Sequence, residues 1–203
     1  MKHLARSTLI IAFFFGVDKI LGFVRQTLVA RQFSLTYELD VFNAANNIPD
    51  LLSALISGGA LGVALIPVLS AYLEQKGKKD AWDLFSRILN LAFFATAGLS
   101  VILALAAPWL VDKVIVPGFP SEQKALTVEL MRLDLIAITI FSISGLIMAG
   151  LQANQHFLLP ALAPGLYNIG QIFGAVVLSP ESGYQVGAVS LPAFGFGIHG
   201  LVY

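Results

Sequence analysis

The segment from Leu39 to Leu73 constrains the fold most, because it carries no charged residue after Asp50. A straight α-helix of about 35 residues would be about 50 Å long, whereas the hydrocarbon core of a bilayer is about 30 Å thick. The helix must therefore bend, tilt or project from the membrane. Bending is permitted where proline removes a hydrogen bond or glycine frees the backbone: at Pro49, the Gly58–Gly59 pair and Pro67.

The first half of this segment is polar on one side. Asp40, Asn43, Asn47 and Asp50 follow the spacing i, i+3, i+7, i+10, which places them within an arc of about 80° on a helix. Polar groups inside a bilayer are costly and usually face water or a partner. The pattern therefore predicts either a helix that lines a wet cavity or a seam of hydrogen bonds between helices.

The composition identifies an integral membrane protein. Hydrophobic residues make up 57% of the chain and charged residues 12%, against about 25% charged in soluble domains. The formal net charge is zero, so we expect no nucleic-acid partner. Cysteine does not occur, which excludes disulfides and a cysteine nucleophile, and no catalytic or metal-binding spacing is evident. We therefore expect no enzyme, no metal site and no cofactor.

The hydropathy pattern predicts an all-α polytopic membrane protein with about six transmembrane helices in a single lobe over residues 1–203. The N-terminal run continues through charged residues without a small-residue cleavage site, which favours a retained first helix over a signal peptide. The last predicted helix stops inside an apolar, glycine-rich run, so we expect the chain to be part of a longer protein. The predicted helices cover about residues 7–31, 39–73 (bent), 84–111, 125–151, 158–178 and 187–203.

Helix 1 carries three charged residues, Asp18, Lys19 and Arg25, inside its span. Each costs about 2.5–3.5 kcal/mol at a helix centre, so they must face protein or water. Asp18 and Arg25 share one face of the helix, and Lys19 lies about 9 Å before Arg25 along the axis. Two interpretations stay open: the cations pair with Asp18 or Asp40, or they form an anion site.

Two further polar groups have simpler interpretations. Glu129, Arg132 and Asp134 occupy the first turns of helix 4, where an interfacial charge cluster is expected. Asn168 and Gln171 lie one turn apart in helix 5, which favours packing hydrogen bonds over a binding site. The orientation follows from the basic loop Lys76–Lys79, which predicts a cytoplasmic N-terminus.

Several ordered motifs resemble a known family. DKILGFVRQTLVARQF and LDVFNAANNIPDLLSALISGGALGVALIPVLSAY are similar to the opening of the MurJ (MviN) lipid II flippases, within the MOP exporter superfamily. APWLVDKVIVPGF and MAGLQANQHFLLPALAPGLYNIG extend the resemblance across nearly the whole chain. The resemblance implies a bacterial inner-membrane protein of fourteen helices, in two six-helix lobes plus two helices. This chain would be the N-terminal lobe, and the remaining C-terminal half would be its partner.

The resemblance also implies roles for individual residues. Lys19 and Arg25 match helix 1 cations that engage the substrate's pyrophosphate, with Lys19 where arginine is more familiar. Ser53 stands where some relatives have an arginine, so part of a cationic clamp is missing. Gly58–Ala60 resembles a segment that bends during gating. The expected substrate-binding residues are Lys19, Arg25, Asp40, Asn47, Asp50 and Ser53, and the expected hinge or gate comprises Pro49, Gly58, Gly59 and Ala60.

The function implied is a flippase that moves lipid II, the undecaprenyl-pyrophosphate-linked peptidoglycan precursor, across the cytoplasmic membrane by alternating access. Its partners would be lipid II or a similar polyprenyl-pyrophosphate substrate and membrane lipids. A coupling ion, if one is used, would bind in the C-terminal lobe, together with the family's sodium site. The alternatives are a related exporter of other polyprenyl-linked sugars or drugs, and a non-transporting membrane scaffold.

Overall fold

The computed structural model describes residues 2–34, 36–56, 60–181, 183–186 and 189–202. Helices dominate this part of the chain, which confirms the predicted all-α class. The six α-helices are α1 (Lys2–Phe33), α2 (Tyr37–Ile56), α3 (Ala60–Gln75), α4 (Lys78–Leu110), α5 (Ser121–Ala153) and α6 (Leu158–Phe173). A π-helical turn extends α4 over Val111–Ile115, and another extends α6 over Gly174–Leu178.

Three helical segments among the described residues are long and apolar enough to cross a membrane. They are Lys78–Ile115, Ser121–Ala153 and Leu158–Leu178. α1 has 32 residues, and at 1.5 Å per residue it is about 48 Å long, which exceeds the thickness of a hydrocarbon core. Large side chains such as Ile102, Leu105 and Leu91 are exposed on α4, as expected for surfaces that face lipid.

The predicted second helix, residues 39–73, consists of two helices in the structure. α2 continues through Pro49, whose side chain is fully buried, and α3 begins at Ala60. Proline is common inside membrane helices, because neighbouring groups donate hydrogen bonds to the backbone carbonyl that the proline leaves without a partner. Gly58 and Gly59 lie outside the described residues, so the hinge expected there stays a prediction.

The chain divides into two compact units, which we describe separately. The first unit comprises residues 1–42 and 157–203, and the second comprises residues 43–156. In the first unit α1 packs along α6. The π-helical turn after α6 packs against the C-terminal segment, where a Cβ at Gly174 would overlap the carbonyl oxygen of Gly200. Only glycine therefore permits this close approach of the two backbones.

The core of the second unit lies between α3, α4 and α5. Leu65 and Leu69 of α3 join Phe85 of α4 and Leu146 of α5 in one buried cluster. Gly150 of α5 lies under the Phe85 ring, since a Cβ there would come within 2.9 Å of Phe85 Cε2. This small residue lets α4 and α5 approach closely, as is usual for helix pairs in membranes.

The C-terminal segment differs from the helix expected over residues 187–203. Strand β1 (Tyr184–Val186) pairs antiparallel with β2 (Val189–Leu191), and a short 3₁₀ helix follows at Gly197–Leu201. The helix was predicted because this segment is hydrophobic. The segment is also rich in glycine, which disfavours a helix by about 1 kcal/mol per residue, and it contains valine, which favours strands. Gly195 and Gly197 have φ values of 70° and 54°, which an α-helix does not allow.

Candidate functional site

The first unit holds the charged residues of α1 against one face of α6. Asp18 is largely buried, with a side chain 15% exposed, and its Oδ1 accepts a hydrogen bond of 2.8 Å from Nδ2 of Asn168. The same amide nitrogen lies 3.4 Å from the Asp18 backbone oxygen. Asn168 thus supplies a polar partner for a carboxylate that sits in an otherwise apolar helix pair.

Lys19, next along α1, contacts the same carboxylate from its other side. Its Nζ lies 3.8 Å from Asp18 Oδ2, at the long end of the range for an ion pair, and its side chain is 79% exposed. An ion pair this exposed contributes little to stability. The Lys19 ammonium is therefore available to an external anion.

Arg25 lies two turns beyond Asp18 on the same face of α1. Its guanidinium carbon is 5.7 Å from the centre of the Tyr167 ring, which is the geometry of a cation–π contact. Among the described residues it has no carboxylate partner. The face of Arg25 that does not stack on the ring keeps its hydrogen-bond donors free for an acceptor.

The local sequence explains this arrangement. Asp18, Gly22 and Arg25 follow i, i+4, i+7 along α1, so they form one row on the helix surface. A Cβ at Gly22 would lie 3.8 Å from the Asn168 amide nitrogen, so the glycine leaves space beside that side chain. Tyr167 and Asn168 are neighbours on α6, and each contacts one end of the row. The row carries Asp18 and Arg25, and Lys19 adds a second cation beside it, so the cations outnumber the carboxylate and favour binding of an anion.

The polar stripe of α2 is exposed to solvent. Asp40, Asn43, Asn47 and Asp50 are all exposed. Asn47 Nδ2 donates only to carbonyls of its own helix, at 3.4 Å to Asn43 and 3.2 Å to Ala44. Within the described residues, these asparagines therefore form no seam with another helix, and the stripe remains an open polar surface. Ser53, the last predicted site residue on α2, is half-buried and has an interaction partner.

Asp134 differs from the interfacial charge cluster expected on α5. The residue is only 9% exposed, and its Oδ2 atom is buried without a hydrogen-bond partner. Arg132 turns away, with its Nε donating to the Ala104 carbonyl at 3.0 Å. The negative charge of Asp134 is instead close enough to that of Asp50 for the two to repel each other. The described residues contain no cluster of three or more histidine and acidic side chains that would hold a metal ion.

The sequence singled out the charged residues of α1 but did not reveal two of their partners on α6. Asn168 and Gln171 were expected to make packing hydrogen bonds, and both do, Gln171 through its Nε2 to the Leu201 carbonyl at 2.9 Å. The hydrogen bond between Asn168 and Asp18 and the cation–π contact between Arg25 and Tyr167 were not predicted. The signal available in the sequence was the adjacent pair Tyr167 and Asn168, whose side chains carry polar groups in a helix made mostly of apolar residues.

Comparison with known proteins places the chain in a family. The family model described as "Lipid II flippase MurJ" matches residues 29–202. The lipid II flippase MurJ of Burkholderia cenocepacia is 32% identical over 88% of this chain and 35% of its own length. A probable lipid II flippase MurJ of Buchnera aphidicola is 32% identical over 80% of the chain and 32% of its own length. The MurJ protein of Thermosipho africanus is 30% identical over 88% of the chain and 38% of its own length.

The chain therefore spans about a third of the length of these curated relatives. The matched region includes α2 to α6 and the C-terminal part of α1. Together with the apolar spanning helices, the match assigns a multi-pass membrane protein. By sequence, the chain belongs to the MurJ lipid II flippase family.

Proposed function

We propose that this chain provides the part of a lipid II flippase that binds the pyrophosphate of the lipid-linked substrate, through Lys19 and Arg25. The observation that supports this most is that both cations can still bind an anion. The Lys19 side chain is 79% exposed and its ion pair with Asp18 is long, at 3.8 Å. Arg25 stacks on a tyrosine ring and has no carboxylate partner among the described residues. The family match supplies the substrate class, since the relatives are named lipid II flippases.

The chemistry of the substrate fits two cations of different type. A pyrophosphate entering the membrane loses hydration, and charge-assisted hydrogen bonds replace part of it. Arg25 offers a planar fork that holds two phosphate oxygens, whereas Lys19 acts as a mobile point charge. Stacking on Tyr167 limits the motion of the guanidinium, so less entropy is lost when phosphate binds. Movement of the lipid between leaflets needs no covalent step.

The exposed face of α2 offers a second polar surface for the substrate. Asp40, Asn47 and Asp50 present carboxylate and amide groups, which suit the hydroxyl and amide groups of a disaccharide headgroup. Ser53 extends the same face by one turn. In this proposal Pro49 and the Gly58–Ala60 segment permit α2 and α3 to change their bend as access alternates between the two membrane sides.

The test is binding of lipid II to the purified protein, measured together with membrane abundance for each variant. We expect Arg25→Ala and Lys19→Ala to weaken binding by about tenfold to a hundredfold, since a hydrogen bond to a charged group contributes about 1.5–3 kcal/mol. Arg25→Lys should weaken binding less, because it loses the fork but keeps the charge. Lys19→Arg should bind as well as the parent or slightly better.

The matched control is Arg31→Ala, which removes an exposed cation from the last turn of the same helix. It should leave lipid II binding unchanged. If the two alanine variants at Lys19 and Arg25 reach normal abundance and bind lipid II as tightly as the parent, the pyrophosphate role is refuted. If they lose abundance and not binding, the scaffold interpretation of these charges is favoured. Tighter binding of drug cations than of lipid II would favour the exporter alternative.

We also propose that the protein lies in the bacterial inner membrane with its N-terminus in the cytoplasm. The support is the basic loop between α3 and α4, with Lys76, Lys78 and Lys79 close together. Because the chain has no cysteine, single substitutions report topology directly. Thr36→Cys should react with an impermeant thiol reagent added outside the cell, and Lys78→Cys only after permeabilisation. The reverse labelling pattern would overturn this orientation.

A further inference from the structure

The second unit contains a carboxylate in a place where a negative charge is hard to maintain. Asp134 lies in the fourth turn of α5, inside a segment apolar enough to span the membrane. The residue is more than nine-tenths buried, among fully buried side chains of its own helix such as Leu130, Met131 and Leu135. Its Oδ2 atom has no hydrogen-bond partner among the described residues. An ionised carboxylate left this way in an apolar interior is strongly disfavoured.

The neighbouring charges make ionisation harder still. The one charge that acts on Asp134 is that of Asp50, which projects from α2 and has the same sign. Arg132, two residues away on α5, directs its guanidinium to the Ala104 carbonyl. Within the described ranges of the chain, no cation therefore forms an ion pair with Asp134.

The helices that pack against α5 carry their ionisable groups at their ends. The pairs Arg132–Ala104 and Thr139–Ser100 show that α4 runs antiparallel to α5, with Asp134 beside residues 102–104. Arg87 is then about 15 residues away along α4, or about 22 Å. Asp112 at the other end is paired with Lys113 and Lys124, at 2.8 Å and 2.6 Å. The ionisable groups on these packing partners are Tyr72 and Glu74 on α3, Lys78, Lys79, Asp80, Asp83 and Arg87 on α4, and Asp112 and Lys113 on the turn that follows.

The chemistry of this place suits a proton better than a metal ion. A sodium or other hard cation needs several oxygen ligands around it. No group of three acidic or histidine side chains that could hold a metal ion occurs in the described residues. A proton needs a single oxygen atom, and burial favours the neutral form of a carboxyl group.

We infer that Asp134, buried in α5 with one carboxylate oxygen unpartnered among the described residues, is a proton-binding site in this lobe of the protein. The inference goes beyond the proposed role of Lys19 and Arg25, because it concerns other residues and a different ligand. It also differs from the sequence-based expectation that any coupling ion would bind in the C-terminal lobe. Binding of the proton neutralises Asp134 in its apolar surroundings, and its release leaves a buried negative charge between α3, α4 and α5. The site thus links the packing of α5 against α3 and α4 to proton occupancy.

The test is infrared difference spectroscopy of the purified parent protein and its variants between about pH 5 and about pH 9. Exposed carboxyl groups are ionised over most of this range, because they titrate near pH 4. We expect the parent to retain the band of a protonated carboxylic acid at about pH 7, and Asp134→Asn to lose that band. In Asp50→Asn the band should persist but disappear at a lower pH than in the parent, because the repelling charge is gone.

The matched control is Asp80→Asn, which removes an exposed aspartate from the first turn of α4. It should leave the band unchanged. Asp134→Asn resembles the neutral carboxylic acid in shape, so its thermal midpoint should equal or exceed that of the parent. If that variant does not fold, Asp134→Glu serves instead: the band should remain and move in frequency, as a glutamic acid replaces an aspartic acid.

Two results would overturn the inference. One is a parent spectrum in which no protonated carboxyl band at about pH 7 depends on Asp134. The other is a band that vanishes when sodium replaces choline at constant ionic strength, because sodium would then be the ligand. Neither measurement uses lipid II, so failure here is distinct from failure of the flippase proposal.

Discussion

Asp18 in the first unit and Asp134 in the second are both aspartates inside long apolar helices, yet their surroundings differ. Asp18 accepts a hydrogen bond of 2.8 Å from Asn168 and has Lys19 at 3.8 Å. Asp134 has a buried oxygen atom without a partner among the described residues. Both residues are largely shielded from solvent, so what distinguishes them is the set of groups that each carboxylate contacts.

The difference separates two uses of a charge inside a membrane. A partnered carboxylate holds its neighbours in place through its hydrogen bonds, which suits the positioning of two cations along α1. A buried carboxylate without a partner favours its neutral form, which suits a site that binds and releases a proton. If this division is correct, removing the partner of Asp18 should have a large structural effect, and removing the exposed ion pair beside it a small one.

The largest effect is expected from Asn168→Leu. This change leaves the Asp18 carboxylate without its amide donor, a loss that costs about 1.5–3 kcal/mol for a charged group. It also removes the Asn168 Oδ1 atom, which has no partner and is buried, so part of the cost is offset. We therefore expect the free energy of unfolding to fall by about 1.5 kcal/mol, measured by thermal or denaturant unfolding of the purified protein.

The control for this change is Gln171→Leu, one turn along the same helix. It removes a hydrogen bond to an uncharged carbonyl, that of Leu201, so the loss should be about half as large. Equal losses in the two variants would show that the charge of Asp18 adds nothing to the α1–α6 contact. If Asn168→Leu made the protein more stable, the distinction between Asp18 and Asp134 would be contradicted, because the hydrogen bond from Asn168 would then not stabilise the Asp18 carboxylate.

The smallest effect is expected from Lys19→Ala when stability is measured. The Lys19 side chain is 79% exposed and its ion pair with Asp18 is long, so it should contribute less than about 1 kcal/mol. Unfolding midpoints of the variant and the parent should therefore agree within about 4 °C. Because the same substitution is expected to weaken lipid II binding strongly, a large loss of stability would assign Lys19 a structural role in place of a binding role.

Much of the fold could be read from the sequence, because hydropathy and helical spacing are local properties. The polar stripe from Asp40 to Asp50 was visible as a repeat of three and four residues, and it lies on one exposed face of α2. The ends of the helices were placed within a few residues in most cases. The paired strands Tyr184–Val186 and Val189–Leu191 were missed, because an apolar, glycine-rich run satisfies the criteria for a membrane helix without having the propensity to form one.

The partners of the charged residues could not be predicted, because they are distant in sequence. Asn168 is 150 residues from Asp18, and no spacing rule connects them. Asp134 was expected at the membrane interface because it follows Glu129 and Arg132 along α5. Its burial depends on which way the helix turns against α3 and α4, which the sequence pattern of an apolar helix does not specify.

The separation of Asp18 and Asn168 also has a consequence for biosynthesis. Ribosomes add about 5–20 residues per second, so the α6 partner emerges about 8–30 seconds after the α1 carboxylate. During that time α1 is inside or beside the translocation machinery with three charged side chains and without Asn168 or Tyr167. We therefore expect α1 to reach its final stability in the membrane only after α6 has joined it, because Asn168 and Tyr167 supply the partners of its charged side chains.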